Sequence, residues 1–196
     1  MKITHCVFAS TLLVTGNAWA ELEILQTGIQ LEPADKPPAR SVGSVWRGLN
    51  DGEPYTNTLA SETDSSNTYK DSNGCEWTEP KGFFRPPSTS WDDCGGQDGS
   101  ARVAFKRGTI FPLQVGNKWS YGVMGGNWQT QRDCKVEDAV RIKTGVGEHD
   151  TFKVVCRDKF NTRTRYYSPK LQAVVHMERW GHRSGKRIRY EFIKYE

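Results

Sequence analysis

Outside its first twenty residues, this 196-residue chain offers three histidines, four cysteines and one dense cluster of arginine and lysine as its reactive groups. His149 sits in a glycine-rich turn between Glu148 and Asp150, His176 follows Val175 in a strand-like run near Glu178, and His182 lies among basic residues. A histidine-dependent nucleophile or a zinc site would have to be assembled from these three. No His-Glu-x-x-His, Gly-x-Ser-x-Gly, Ser-x-x-Lys or phosphate-loop pattern occurs. Asp92, Asp93 and Asp98 bring carboxylates beside Gly95, Gly96 and Gly99, without the ligand spacing of a calcium loop. No catalytic residue, no metal ligand and no cofactor is expected. A hydrolase whose active site is built from distant positions, and so leaves no local motif, stands as one alternative.

Two features suit binding instead. Arg179, His182, Arg183, Lys186, Arg187 and Arg189 form a basic cluster with Trp180 and Tyr190 among them. Such a patch could meet an anionic envelope polymer, lipid headgroups or an acidic protein; its plainer use is a charged edge that discourages sheet-to-sheet pairing. The second feature is the surplus of tryptophan at positions 46, 77, 91, 119, 128 and 180. A buried Trp fills a small β core, whereas an exposed one offers a flat apolar face to a sugar or a lipid. Trp128 and Trp180 are the candidate aromatic contacts. The formal net charge of +4 is too mild to make a nucleic acid the expected partner.

The N-terminus reads as an export leader. Lys2 supplies the positive start, Cys6 to Val14 a short apolar stretch, and Ala18-Trp19-Ala20 a small-residue cleavage signal, so cleavage is expected after Ala20. The apolar stretch is roughly half of the twenty residues that a spanning helix needs. No later stretch is apolar enough to span, so no transmembrane segment is expected after cleavage, and the periplasm or the extracellular space is the expected location. Cys6 leaves with the leader.

Cys75, Cys94, Cys134 and Cys156 then form an even set suited to an oxidising compartment. Three connectivities are open, and strand periodicity chooses among them. Cys134, Val136, Asp138, Val140 and Ile142 alternate on one segment, and Phe152, Val154 and Cys156 on another, with a glycine-rich turn between. If Cys134 faces Cys156, Val136 faces Val154 and the apolar set shares a face; a slip of one residue would turn one set to solvent. The expected disulfides are Cys134–Cys156 and, by remainder, Cys75–Cys94, each stabilising by about 3 kcal/mol on the chain-entropy account.

Residues 21–41 carry Pro33, Pro37 and Pro38 and read as an extended arm. The β domain follows over 42–196. Asn50-Asp51-Gly52 is a hairpin signal, residues 82–99 read as an irregular loop pinned by a disulfide and buried aromatics, and further strands are expected up to Tyr195. Val42-Gly43-x-x-Trp46 recurs as Val115-Gly116-x-x-Trp119, which divides the domain into candidate related units 42–100 and 108–196. Short connections imply antiparallel neighbours. The expected fold is mainly β, an antiparallel meander forming a partial barrel or two-layer sandwich, stapled by disulfides.

The run Phe111-Pro112-Leu113-x-Val115-Gly116-x-x-Trp119-x-Tyr121, followed by Asp150-Thr151-Phe152-Lys153-Val154 and Tyr166-Tyr167-Ser168-Pro169, resembles uncharacterised secreted bacterial β-sheet modules. Gly74-Cys75-Glu76-Trp77-Thr78, Phe83-Phe84-Arg85-Pro86 and Trp91-x-x-Cys94-Gly95-Gly96 resemble the upstream half of some of them. The resemblance covers residues 42–178 and implies a fold and an exported location, with no activity or site. The expected function is a non-enzymatic binding or accessory module of the envelope. A half-barrel carrying an apolar ligand, such as a lipid or lipoprotein chain, is the alternative that a Trp- and Phe-lined cavity would favour.

Overall fold

A computed structural model describes residues 22–196, and the expected leader lies outside them. Cys134 faces Cys156 and Val136 faces Val154, as the alternation requires, and the disulfides are Cys134–Cys156 and Cys75–Cys94. The strands of the first half are β1 (Glu23–Thr27), β2 (Val45–Asn50), β3 (Glu53–Glu62), β4 (Ser66–Asp71), β5 (Glu76–Pro80), β6 (Ser90–Asp92) and β7 (Gly99–Ser100). Those of the second are β8 (Arg102–Gly108), β9 (Lys118–Met124), β10 (Gln129–Thr144), β11 (Gly147–Asp158), β12 (Asn161–Ser168), β13 (Ala173–Gly181) and β14 (Arg187–Tyr195). No helix occurs among the described residues.

All fourteen strands of the described residues belong to one antiparallel sheet in the order β7-β6-β5-β4-β3-β2-β14-β13-β12-β11-β10-β9-β8, with β1 on β10. The strands β7 and β8 stand at opposite ends of this order, yet only Ala101 separates them in the chain. The sheet must therefore curl until its two ends meet, which makes it nearly a barrel and not a sandwich. Asp51 and Gly52 take positive φ in the β2–β3 turn, as the hairpin signal implies.

The apolar set of β10 does not all share one face. A bulge between Val136 and Asp138 shifts the register, so that Ala139 faces Phe152 and Val140 faces Thr151. Cys134, Val136, Ala139, Phe152, Val154 and Cys156 join the main core. Val140 and Ile142 turn the other way, into a smaller cluster with Tyr166 and Val175. One extra residue in a strand inverts every side chain beyond it, and periodicity alone does not register it.

The arm is more tied down than its prolines suggest. The sixteen residues of β10 outreach the seven of β9, and β1 covers the remaining edge through Glu23–Lys143 and Thr27–Val140 pairing. Ala34 then exchanges backbone bonds with Leu113 at 2.9 and 2.7 Å.

Inside the curl, the connection from β5 to β6 is not a surface loop. Phe83 packs edge-on to Tyr121 at 5.4 Å, and Phe84, 4% exposed, meets Tyr167 at 5.6 Å, Trp119 at 6.1 Å and Phe111 at 6.4 Å. The first part of the loop expected at 82–99, around Phe83, Phe84 and Pro87, thus becomes an internal plug, whereas Ser90–Asp92 forms β6 and residues 95–98 are exposed.

The two halves of the sheet meet where β14 pairs with β2, at Gly48. A Cβ there would collide with the backbone oxygen of Glu191 and the ring of Tyr55, whereas Gly126 faces open space. Gly48→Ala is expected to cost about 1–3 kcal/mol and to lower the urea midpoint, with Gly126→Ala leaving it in place. Equal midpoints for the two variants would show that the seam relaxes freely.

Candidate functional site

The hairpin turns at 125–128, 159–160 and 181–186 lie at one end of the barrel: Asn161 pairs with Gly181, Arg132 with Asp158, and the His182 amide donates to the Phe160 carbonyl at 2.9 Å. The basic cluster expected from the sequence gathers here. Arg183, Lys186 and Arg187 are exposed in and beside the β13–β14 turn, and none has an ion-pair partner among the described residues. Arg189 is tempered, since its Nε lies 3.7 Å from Glu178 and its amide donates to Asp51. His182 is engaged with the Thr162 hydroxyl at 3.0 Å. Arg179 is half-buried opposite Arg163. Trp180 is 50% exposed, and its ring lies 5.5 Å from that of His182.

The six tryptophans differ in exposure. Trp46 and Trp119 are buried, Trp77 and Trp91 are half-buried, and Trp128 and Trp180 are the exposed members of the set. Trp128 closes the β9–β10 turn, where its carbonyl accepts from the Gly125 amide at 2.9 Å and its ring lies over Gly125 so closely that no Cβ would fit.

Trp128 also marks a feature that the sequence reading did not include. A cavity of about 420 Å³ opens beside it, walled by Phe160, Pro86 and Pro87 of the plug, and lined by Arg132, Asp158, Arg163 and Arg165. The register explains the arginines. On β12, Arg163 lies opposite Cys156 and Arg165 opposite Val154, so both share the face of the core residues and point into the barrel. The signal was present in Thr162-Arg163-Thr164-Arg165-Tyr166-Tyr167, where two arginines fall in phase with Tyr167, but it needs the hairpin register extended by one more strand.

Asp158 organises two of the three arginines. Its Oδ2 accepts from Arg132 Nε at 2.9 Å, Arg132 Nη2 at 2.6 Å and Arg163 Nη1 at 2.9 Å, while its Oδ1 accepts from the amides of Phe160 and Asn161 at 2.8 Å. Arg132 Nη1 donates to the Tyr121 hydroxyl at 2.9 Å. Burial works against the Asp158 charge, but the bonds and charge of Arg132, the Phe160 amide and Arg163 outweigh it and hold the carboxyl at about 2.

Arg165 stands apart. It is 6% exposed, its Nη1 has no hydrogen-bond partner, and no ion pair reaches it among the described residues. Burial lowers its affinity for the proton, Tyr121 opposes this, and repulsion from Arg163, Arg132 and Arg85 adds to it, leaving the guanidinium at about 9 and so charged at neutral pH. Among the described residues, the lining of this cavity carries three cations and one carboxylate.

At the other end a second cavity, of about 290 Å³, is lined by Trp46, Tyr69, Phe83, Phe84, Phe111, Tyr167 and Tyr195, with Glu79 and Arg85 among them. Burial raises the Glu79 carboxyl, an effect that Arg85 and a hydrogen bond from Trp77 counter. On another face of the sheet His176 pairs with Glu191, and both are buried; His149 is held below its usual range by burial first and Lys170 second. No group of three or more His, Cys, Asp or Glu that could hold a metal is found among the described residues. No described helix is long and apolar enough to cross a membrane.

No family model matches the chain, and no curated protein matches it. Among solved structures it is similar to a presumed exported protein with a YmcC-like fold from Bacteroides fragilis NCTC 9343, at 10% identity and a TM-score of 0.42, over 83% of this chain and 99% of that one. That likeness is too distant to carry a functional assignment.

Asp158 makes stability depend on pH. Its carboxyl lies near 2 when folded against an ordinary 3.8, so its contribution is complete above about pH 4 and is lost as pH falls through about 2. Asp158→Asn is expected to cost about 3 kcal/mol at neutral pH, because it leaves Arg132 and Arg163 buried without a counter-charge. In denaturant titrations the gap between the two proteins should narrow as pH falls from about 4 towards about 2; a gap independent of pH would remove Asp158 as its source.

Proposed function

We propose that this protein is an exported, non-enzymatic binding module of the cell envelope that presents one end of its barrel to anionic ligands. The observation that carries this reading is the charge at that end. Arg183, Lys186 and Arg187 extend around the β13–β14 turn without carboxylate partners among the described residues, beside an exposed Trp180 and the mouth of the arginine-lined cavity. Export is supported by the leader sequence and by two disulfides, which persist in oxidising compartments. The three histidines support a non-catalytic reading, since His182 is spent on structural contacts at the barrel end while His149 and His176 lie elsewhere on the sheet.

Carriage of an apolar ligand is the second reading, and the aromatic cavity at the opposite end favours it. Its volume of about 290 Å³ is at the bottom of the range of roughly 300–1,000 Å³ for small-molecule pockets, and Glu79 and Arg85 line it. A lipid chain would have to displace the plug.

Binding to an anionic surface is worth about 1 kcal/mol per exposed Lys or Arg and weakens with salt. The protein without its leader is therefore expected to sediment with isolated cell envelopes at low ionic strength. Combined replacement of Arg183, Lys186 and Arg187 by Ala should cost about 3 kcal/mol, roughly two orders of magnitude in retention. Equal sedimentation of the two proteins would remove the hairpin from the binding surface.

A further inference from the structure

The arginines of the cavity are not explained by the fold. Asp158 neutralises one of them and accepts bonds from Arg132 and Arg163 together. Arg165 takes part in no hydrogen bond or ion pair among the described residues, although it is buried on the strand between Arg163 and the core residue Tyr167. Side chains that carry a charge are almost never fully buried without a partner, because removal from water is not compensated. An apolar side chain of equal length would fill this position at lower cost if packing were its only task. A guanidinium held there, facing a cavity of about 420 Å³, is a preformed fork for two oxygens of a carboxylate or phosphate.

The mouth of the cavity supplies the second half of the recognition. Trp128 is 38% exposed and is held over Gly125, where no other residue would let its ring lie so low. Phe160 stands on the adjacent turn, which Asp158 fixes through two backbone bonds. A flat aromatic wall beside a buried cation matches a ring that is apolar on its face and charged at one substituent. The volume lies within the range of small-molecule sites, roughly 300–1,000 Å³.

We propose that this cavity binds an anionic sugar residue, with its carboxylate or phosphate on Arg165 and its ring against Trp128. The proposal rests on the reading of this barrel end as a binding surface, and it names the unit that the surface selects. The exposed Arg183, Lys186 and Arg187 attract a polyanion at long range, whereas Arg165 and Trp128 recognise one residue of it.

Titration calorimetry on the protein without its leader tests this with four probes: glucuronate, glucose 6-phosphate, glucose and inorganic phosphate. At least one of the two charged sugars should bind measurably below about 10 mM, and glucose should not; glucuronate alone or glucose 6-phosphate alone tells a uronic acid site from a sugar phosphate site. Arg165→Met should weaken that binding by about tenfold or more. Arg165→Lys keeps the charge and loses the fork, so it should weaken binding by a smaller factor with an unchanged circular dichroism spectrum, which covers the case in which the Met variant misfolds. Trp128→Ala should weaken the charged sugar and leave inorganic phosphate unaffected. Failure of both charged sugars to bind, or equal affinity after Arg165→Met, would overturn the proposal, and equal affinity after Trp128→Ala would overturn the sugar assignment. The triple hairpin variant should keep its affinity for these small probes, so loss of envelope sedimentation and loss of probe binding report on the two surfaces separately.

Discussion

The passage of residues 81–88 through the interior of the curled sheet is the constraint on which the structure depends. A sheet of this many strands that bends until β7 and β8 meet encloses more space than its own inward side chains can fill, and wider barrels leave open channels for this reason. Phe83 and Phe84 fill the centre against Tyr121, Trp119 and Tyr167. Arg85 takes a left-handed backbone conformation, φ 52°, and Pro86 and Pro87 then hold the chain extended on its way to β6. The plug divides the interior in two, and Pro86 borders both cavities.

That division gives the two ends different chemistry. One cavity is walled by aromatic rings, and the other by arginines around a single carboxylate. Charges inside the second are not screened as they would be on the surface, and hydrogen bonds set the positions of Asp158, Arg132 and Arg163. Asp158 holds the β11–β12 turn through the Phe160 and Asn161 amides and orients Arg132 and Arg163 at the same time. The Cys134–Cys156 bridge lies on the same pair of strands, one inward position further along each, and ties together the segments that carry Arg132 and Asp158. Arg165 takes its place in the same cavity through the pairing of β12, opposite Val154 and Met177.

The legible part of the site was the exposed part. Arg183, Lys186 and Arg187 are close in sequence, so a turn alone brings them together, and Trp128 and Trp180 sit in segments too polar to bury a ring. Arg132, Asp158, Arg163 and Arg165 come from three strands, and only the register between those strands places them in one cavity. The bulge after Val136 illustrates the same limit within a single strand. Alternation assigns Val140 and Ile142 to the face of Cys134, and the extra residue moves them to the opposite one.

The sequence by itself determined the class of fold, the pairing of four cysteines and the register of one end of a hairpin, because period-two alternation is local to each strand and only one pairing of an even set keeps the apolar residues around Cys134 and Cys156 on one face. Only the tertiary structure decided that the sheet closes to a near-barrel, that the loop after Pro80 becomes its plug, and that Arg165 is buried without a partner among the described residues. Those outcomes depend on how far successive strands twist and on which volume remains to be filled. Twist and volume are sums over the whole sheet, and no segment of the sequence carries them alone.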